Sequence, residues 1–160
     1  MDVSVFLRLA NTPWKMKLFL LQRLPGAWFM GVNIRSCDLE QAVVSLPYRW
    51  RSQNPFRSIY FAAQCAAAEL STGILVLAHL QGKPPVSMLV TGFEAEFFKK
   101  ADQLLLFTCT DGPAIAQAIA QTLATGEGQV FQATSVGRLP DGTVAAQAKI
   151  TWSVRRKSGR

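Results

Sequence analysis

The stretch Asn54–Ser71, NPFRSIYFAAQCAAAELS, decides how this chain folds. From Ile59 onward it is almost wholly small or apolar, and a carboxylate, Glu69, stands in the middle of it. It leads into a run from Ser58 to Leu80 that is rich in alanine and leucine and free of proline, which predicts one long helix. At the usual rise that helix is about 30–35 Å long. It is apolar nearly all round, so other elements must wrap it. Gly82-Lys83-Pro84-Pro85 is its stop.

Outward from this helix the patterns change. On its N-terminal side, Thr12-Pro13 can cap and open a helix through about Leu24, with Trp14, Leu18 and Leu21 at helical spacing and Pro25-Gly26 as its end. Two short strands are expected near Gly31–Cys37 and Gln41–Pro47, joined by a turn at Asp38-Leu39-Glu40. On its C-terminal side, Val86–Phe98 and Leu104–Thr110 read as strands, with a short helix at Pro113–Ala124 that starts at Asp111 or Gly112. Gln129–Gly137 and Thr143–Val154 form a hairpin around Pro140-Asp141-Gly142, and Val144, Ala146, Ala148, Ile150, Trp152 and Val154 alternate onto one face. The economical architecture is α+β: an antiparallel sheet of about six strands curled around the long helix, in a single domain over residues 1–160.

Composition agrees with a packed domain, since 49% of the residues are hydrophobic and 17% charged. The N-terminal apolar stretch is broken by Arg8, Lys15, Lys17 and Arg23 and has no small-residue cleavage site, so no cleavable signal is expected. Mean hydropathy is positive, +0.17. Only Ser58–Leu80 is long enough to span a bilayer, and Gln64, Glu69, Ser71, Thr72 and Gly73 at its centre argue for a buried core helix instead. Net charge is +7, and four of the basic residues fall in the tail 155–160. That tail reads as a solvated end, a contact for a phosphate-bearing ligand, or a weak nucleic-acid site; no nucleic-acid motif with interleaved aromatics accompanies it. Cys37, Cys65 and Cys109 form no close pair, which points to reduced, mostly buried thiols and a cytoplasmic protein.

Most catalytic templates fail here. A single histidine, His79, removes multi-histidine metal sites and the serine triad, and its place near the helix end suits the dipole there. There is no G-x-S-x-G elbow, P-loop or dinucleotide fingerprint, so neither metal nor cofactor is expected. Glu69 survives. Its helical neighbours Ala62, Cys65, Ala66, Thr72, Gly73 and Val76 are mostly small, which leaves room for another backbone, a second helix or a ligand. Either it is hydrogen-bonded at a subunit interface, or it is a general base with a raised pKa. The segment before the helix is equally two-sided. Its first N–H groups can hold an oxyanion, or Ser58 is a cap, Asn54 a turn former and Pro55 a strand breaker.

The order of elements resembles the hotdog fold, and N-P-F-R-S-I-Y-F-A-A-Q-C-A-A-A-E resembles the segment N-x-x-G-x-x-H-G-G, with an acid nine residues after the histidine, of small hotdog thioesterases. The likeness covers roughly residues 25–155. Asn54 falls on the asparagine, Arg57 on the first glycine, Tyr60 on the histidine, Phe61 and Ala62 on the glycine pair, and Glu69 on the acid. The resemblance implies an acyl-CoA thioesterase in which Glu69 is general base or nucleophile. The Phe61 N–H polarises the thioester carbonyl, Asn54 positions water or substrate, and Tyr60 donates a hydrogen bond. Arg57, Ser58, Cys65 and Thr72 are the expected substrate contacts, with Arg49 and Arg51 as further partners for CoA phosphates. Arg57 and Phe61 are far larger than glycine and narrow the entrance. The alternative is a hotdog protein that binds acyl-CoA or a fatty acyl group without turnover; a dehydratase is weaker, because no histidine lies near Asn54. Nine residues separate Tyr60 from Glu69, about 900° of helix or half a turn out of phase. The two cannot meet within one helix, so a shared site needs two subunits, as a homodimer or a tetramer.

Overall fold

The computed structural model describes residues 1–157; the end of the expected basic tail, 158–160, lies outside the described residues. Its central element is α4, Phe61–Leu80. Around it runs a single six-stranded sheet made of β1 (Asn33–Cys37), β2 (Ala42–Leu46), β3 (Val86–Phe97), β4 (Leu105–Cys109), β5 (Gln129–Arg138) and β6 (Val144–Arg156). Strand order is β1-β2-β4-β5-β6-β3, and every pairing is antiparallel. The sheet is not closed: among the described residues β1 and β3 are its unpaired edges. This is the α+β hotdog architecture. α5, Gly112–Thr125, packs across α4 and buries Ile115 and Ile119.

The wrap follows from alternation. In β6 the residues Ala146, Ala148, Ile150, Trp152 and Val154 are buried, as the period of two requires, and Leu105, Phe107 and Cys109 of β4 do the same. Two polar tethers fix the helix on this surface. Trp152 Nε1 donates to Thr72 Oγ1 at 3.0 Å, and the Ser71 and Ser135 hydroxyls meet at 2.7 Å. Each is worth about 1 kcal/mol net, and their larger role is to forbid sliding, since a slip would leave buried hydroxyls unpaired. Among the described residues α4 is the one helix long and apolar enough to cross a bilayer, and the sheet buries it.

The N-terminal third departs from expectation. Helix α1, Val3–Ala10, had no counterpart in the sequence reading; Asp2 caps it through a 2.8 Å bond from the Ser4 N–H. Helix α2, Pro13–Arg23, begins and ends close to the predicted span, but Thr12 makes no side-chain cap and bonds back to the Arg8 carbonyl. Its inward residues are Met16 and Leu20, whereas the stripe Trp14, Leu18 and Leu21 faces out. Spacing alone cannot decide which of two apolar stripes meets a core. α2 does end just before Pro25-Gly26, with Leu24 as its C-cap, but Pro25 also opens a further helix, α3, Pro25–Met30, as proline at the first helical position does. Asn11 pins this layer to the sheet, donating to the Cys37 carbonyl at 2.7 Å and accepting from the Cys37 N–H at 3.0 Å. At the other end, Arg155 and Arg156 are exposed strand residues paired with Ser87 and Val86.

Candidate functional site

The central helix starts three residues later than predicted, and the reason is a tight turn before it. Asn54 Oδ1 accepts from the Phe56 N–H (3.0 Å), the Ser58 N–H (3.2 Å) and the Ser58 hydroxyl (3.1 Å). Ser58 therefore does not cap α4; its hydroxyl is held by Asn54. Arg57 sits at φ +56°, in the left-handed region that favours glycine. Arg57 is the residue that the sequence resemblance set on the pattern's first glycine, and its backbone has a conformation that glycine adopts readily. Ile59 and Tyr60 are then strapped to Ala101 and Ser52 by backbone bonds of 2.6 and 2.7 Å. Tyr60 is the N-cap and gives no side-chain cap, so among the described residues the Phe61 and Ala62 N–H groups have no protein acceptor.

This helix start borders a cavity of about 550 Å³, lined by Asn54, Phe56, Ser58, Phe61, Gln64 and the segment Phe97–Ala101 with its two lysines, Lys99 and Lys100. Gln64 is buried. Its Nε2 donates to the Ile59 carbonyl at 3.1 Å, while Oε1 has no partner among the described residues. The exposed ring of Phe61 packs edge-on against Tyr60 and Phe97, with centroids 5.0 and 6.4 Å away.

Glu69 lies about 12 Å further along the helix axis, eight residues on from Phe61. It opens into a second cavity of about 300 Å³, walled by Leu70, Gly73, Ile74 and Leu77 of α4, by Phe19, Arg23 and Leu24, and by Met88 of β3. Gly73 makes room for the carboxylate, since a Cβ there would stand 3.2 Å from Glu69 Oε1 and 3.4 Å from the Trp152 ring. Burial pushes the Glu69 carboxyl above its ordinary value and is the sole cause of the shift, so Arg23 does not offset it.

The structure thus brings Asn54, Ser58 and Phe61 together in one cavity and puts Glu69 in another. Tyr60 and Arg57 are exposed on the turn. Cys65 is half-buried between the two cavities and lines neither. Thr72, expected to touch substrate, is sealed in the core, donating to the Glu69 carbonyl and accepting from Trp152; it cannot reach a ligand. Sequence reasoning missed Gln64, Phe97, Lys99 and Lys100, and the α2 residues over Glu69. Gln64 carried a signal, a lone amide in an alanine-rich apolar run. The lysines carried none, because only the fold brings the end of β3 to the start of α4. His79 Nε2 lies 2.9 Å from the Leu39 carbonyl, and burial holds the Cys37 and Cys109 thiols up at about 12.

One family model matches the chain, "Domain of unknown function (DUF4442)", over residues 12–154. No curated protein matches it by sequence. Solved structures do match by shape. The Pseudomonas aeruginosa protein PA5026 superimposes with TM-score 0.73 at 17% identity, over 98% of this chain and 97% of its own. The thioesterase HI1161 of Haemophilus influenzae gives 0.65 at 15%, over 87% and 88%. The PaaI protein from the phenylacetic acid degradation operon of E. coli gives 0.63 at 14%, over 94% and 97%. At such identities these likenesses speak for the shared fold.

Proposed function

The chain belongs to the DUF4442 family, and we propose that it hydrolyses acyl thioesters, acyl-CoA above all, at a site shared between two subunits. The observation that carries this reading is Glu69: a carboxylate on the central helix, half-buried in an apolar cavity, with its pKa raised by burial alone. Keeping such a group costs stability, and a base poised toward neutral pH is what would justify the cost. The hotdog neighbours that are themselves thioesterases support the choice of reaction class.

In the proposed reaction Glu69 takes a proton from water as the oxygen attacks the thioester carbonyl. The oxyanion forms against the free Phe61 N–H at the positive end of α4, as the N–H donors there allow. Collapse breaks the C–S bond, and the thiolate leaves with the proton that Glu69 held. Alternatively the carboxylate attacks directly, the C–S bond breaks as the thiolate leaves, and water then cleaves the resulting anhydride to release the acid, regenerate Glu69 and supply the proton taken up by the thiolate. Asn54 Nδ2 is free to orient water, because Oδ1 is committed to the turn. Lys99 and Lys100 offer cations for the phosphates of CoA.

Two features support a homodimer as the active unit. β3 is a twelve-residue edge strand with no buried residue, the kind of edge that pairs with another chain. On α4, Ala62, Cys65, Ala66 and Glu69 are left half-exposed by the wrap, an open stripe that a partner could cover. The test is a panel of acyl-CoAs with thiol release followed. Glu69→Ala should lower turnover by about 10²–10⁴-fold; equal rates in the two proteins would remove Glu69 from the chemistry. A second reading, binding without turnover, is favoured by the Phe61 ring packed edge-on against Phe97 in the helix-start cavity. Acyl-CoA retained through purification, with no thiol released, would select it.

A further inference from the structure

Helix α2 carries two apolar stripes and only one has a use inside the fold. Met16 and Leu20 are buried, and Phe19 walls the Glu69 cavity. On the side away from these, Trp14, Leu18 and Leu21 are 65%, 48% and 44% exposed. At 100° per residue, Lys15 falls on one flank of this outer stripe and Lys17 on the other. Lys15 Nζ stands 5.4 Å over the Trp14 ring. Between Asp2 and Asp38 the chain has five cations, Arg8, Lys15, Lys17, Arg23 and Arg35, and no carboxylate.

A stripe headed by tryptophan, with lysines on both flanks and no acid beside it, matches a helix that lies in the plane of an anionic lipid interface. The rings and leucines enter the boundary between headgroups and acyl chains, and the lysines stay with the phosphates. We propose that the outer face of α2 docks this protein peripherally on an anionic bilayer. A second copy of the chain fits the same face less well. Two-fold pairing of α2 with itself would set lysine flanks against lysine flanks, with no carboxylate in the segment to meet them.

Cosedimentation of the full chain with vesicles tests this without requiring turnover, and Glu69→Gln protein should bind as the wild type does. Vesicles of phosphatidylcholine mixed with phosphatidylglycerol should retain the protein, vesicles of phosphatidylcholine alone much less, and added salt should weaken the binding. At about 1 kcal/mol per basic side chain, Lys15→Gln with Lys17→Gln lowers the partition coefficient by about 30-fold. Leu18→Ser with Leu21→Ser lowers it by about tenfold or more, in a protein that still folds because both side chains are outside the core. Equal binding to neutral and anionic vesicles overturns the proposal. So does a serine variant that binds vesicles as before but elutes as a smaller species, which would make the stripe a self-association face.

Discussion

The cavity beside Asn54 offers hydrogen-bond donors and cations; the cavity beside Glu69 offers a carboxylate and hydrocarbon. Both open off the same helix, two turns apart. The first has free N–H groups at the start of α4, Asn54 and two lysines, and its lining includes no acid. The second has the acid and one arginine, and is otherwise lined by side chains that neither donate nor accept. Thioester hydrolysis needs both sets within a few ångströms of one carbonyl. Under the proposed reaction each cavity would supply half a site, and an antiparallel second copy is the simplest way to set one half against the other.

The strongest test of that contrast damages one half at a time. Glu69→Gln removes the base. Phe61→Pro removes the N–H donor at the first helical position, where proline is tolerated and where Tyr60, at ψ 132°, already has the extended backbone that a following proline demands. Phe61→Ala is the control that trims the ring and keeps the N–H. Each disabling change should cost about 10²–10⁴-fold in turnover. Mixing the two disabled proteins should then restore about a quarter of wild-type activity, because half of a random mixture is heterodimer with one intact site of two. A mixture no more active than its components would break the idea of complementary halves.

A smaller effect concerns stability, and it belongs to the Glu69 half alone. Burial raises the folded-state pKa of Glu69 above its unfolded value. As pH climbs from the ordinary carboxylate range to that raised value, the unfolded chain releases its proton first and stability falls. Below this window both states are protonated and the penalty is absent. Glu69→Gln should therefore be more stable than wild type at neutral pH and equal to it in acid, by denaturant titration at a series of pH values. The same titration governs the rate, whose acid limb should lie above the ordinary carboxylate range. A stability difference independent of pH would mean that Glu69 finds an unrecognised partner.

Much of this was legible in the residues. Helix α4 showed itself by length, alanine content and want of proline, and β6 by strict alternation, because in both cases one element must face a continuous core. The position of Glu69 was legible too, since a carboxylate stands out in an apolar run. The cavity around it was not. Its outer wall comes from Phe19, Arg23 and Leu24, some fifty residues earlier, and α2 is apolar on two sides. Periodicity finds a stripe but carries no sign for in or out. Likewise Lys99 and Lys100 reach the helix start only because β3 ends there. Ser58 misled because a serine ahead of an apolar run imitates a cap, and only the bond to Asn54 reveals the turn that claims it.

That turn allows the mildest and most local test of the comparison. Arg57 holds a left-handed backbone at φ +56°, which costs a non-glycine residue about 1–2 kcal/mol. Glycine removes the cost but gives back about 0.4–1 kcal/mol through a freer unfolded chain. Arg57→Gly should thus stabilise the protein by about 0.5–1 kcal/mol, or roughly 1–4 °C in Tm for a domain of this size. Arg57→Val, stiff at Cβ, should instead destabilise it. Because the turn shapes only the Asn54 half, the increment of Arg57→Gly should add to that of Glu69→Gln within about 0.5 kcal/mol. It should also leave the pH profile of stability unmoved. Coupling beyond that would mean that the two cavities already communicate through α4 within one chain, and that the second copy is not what joins them.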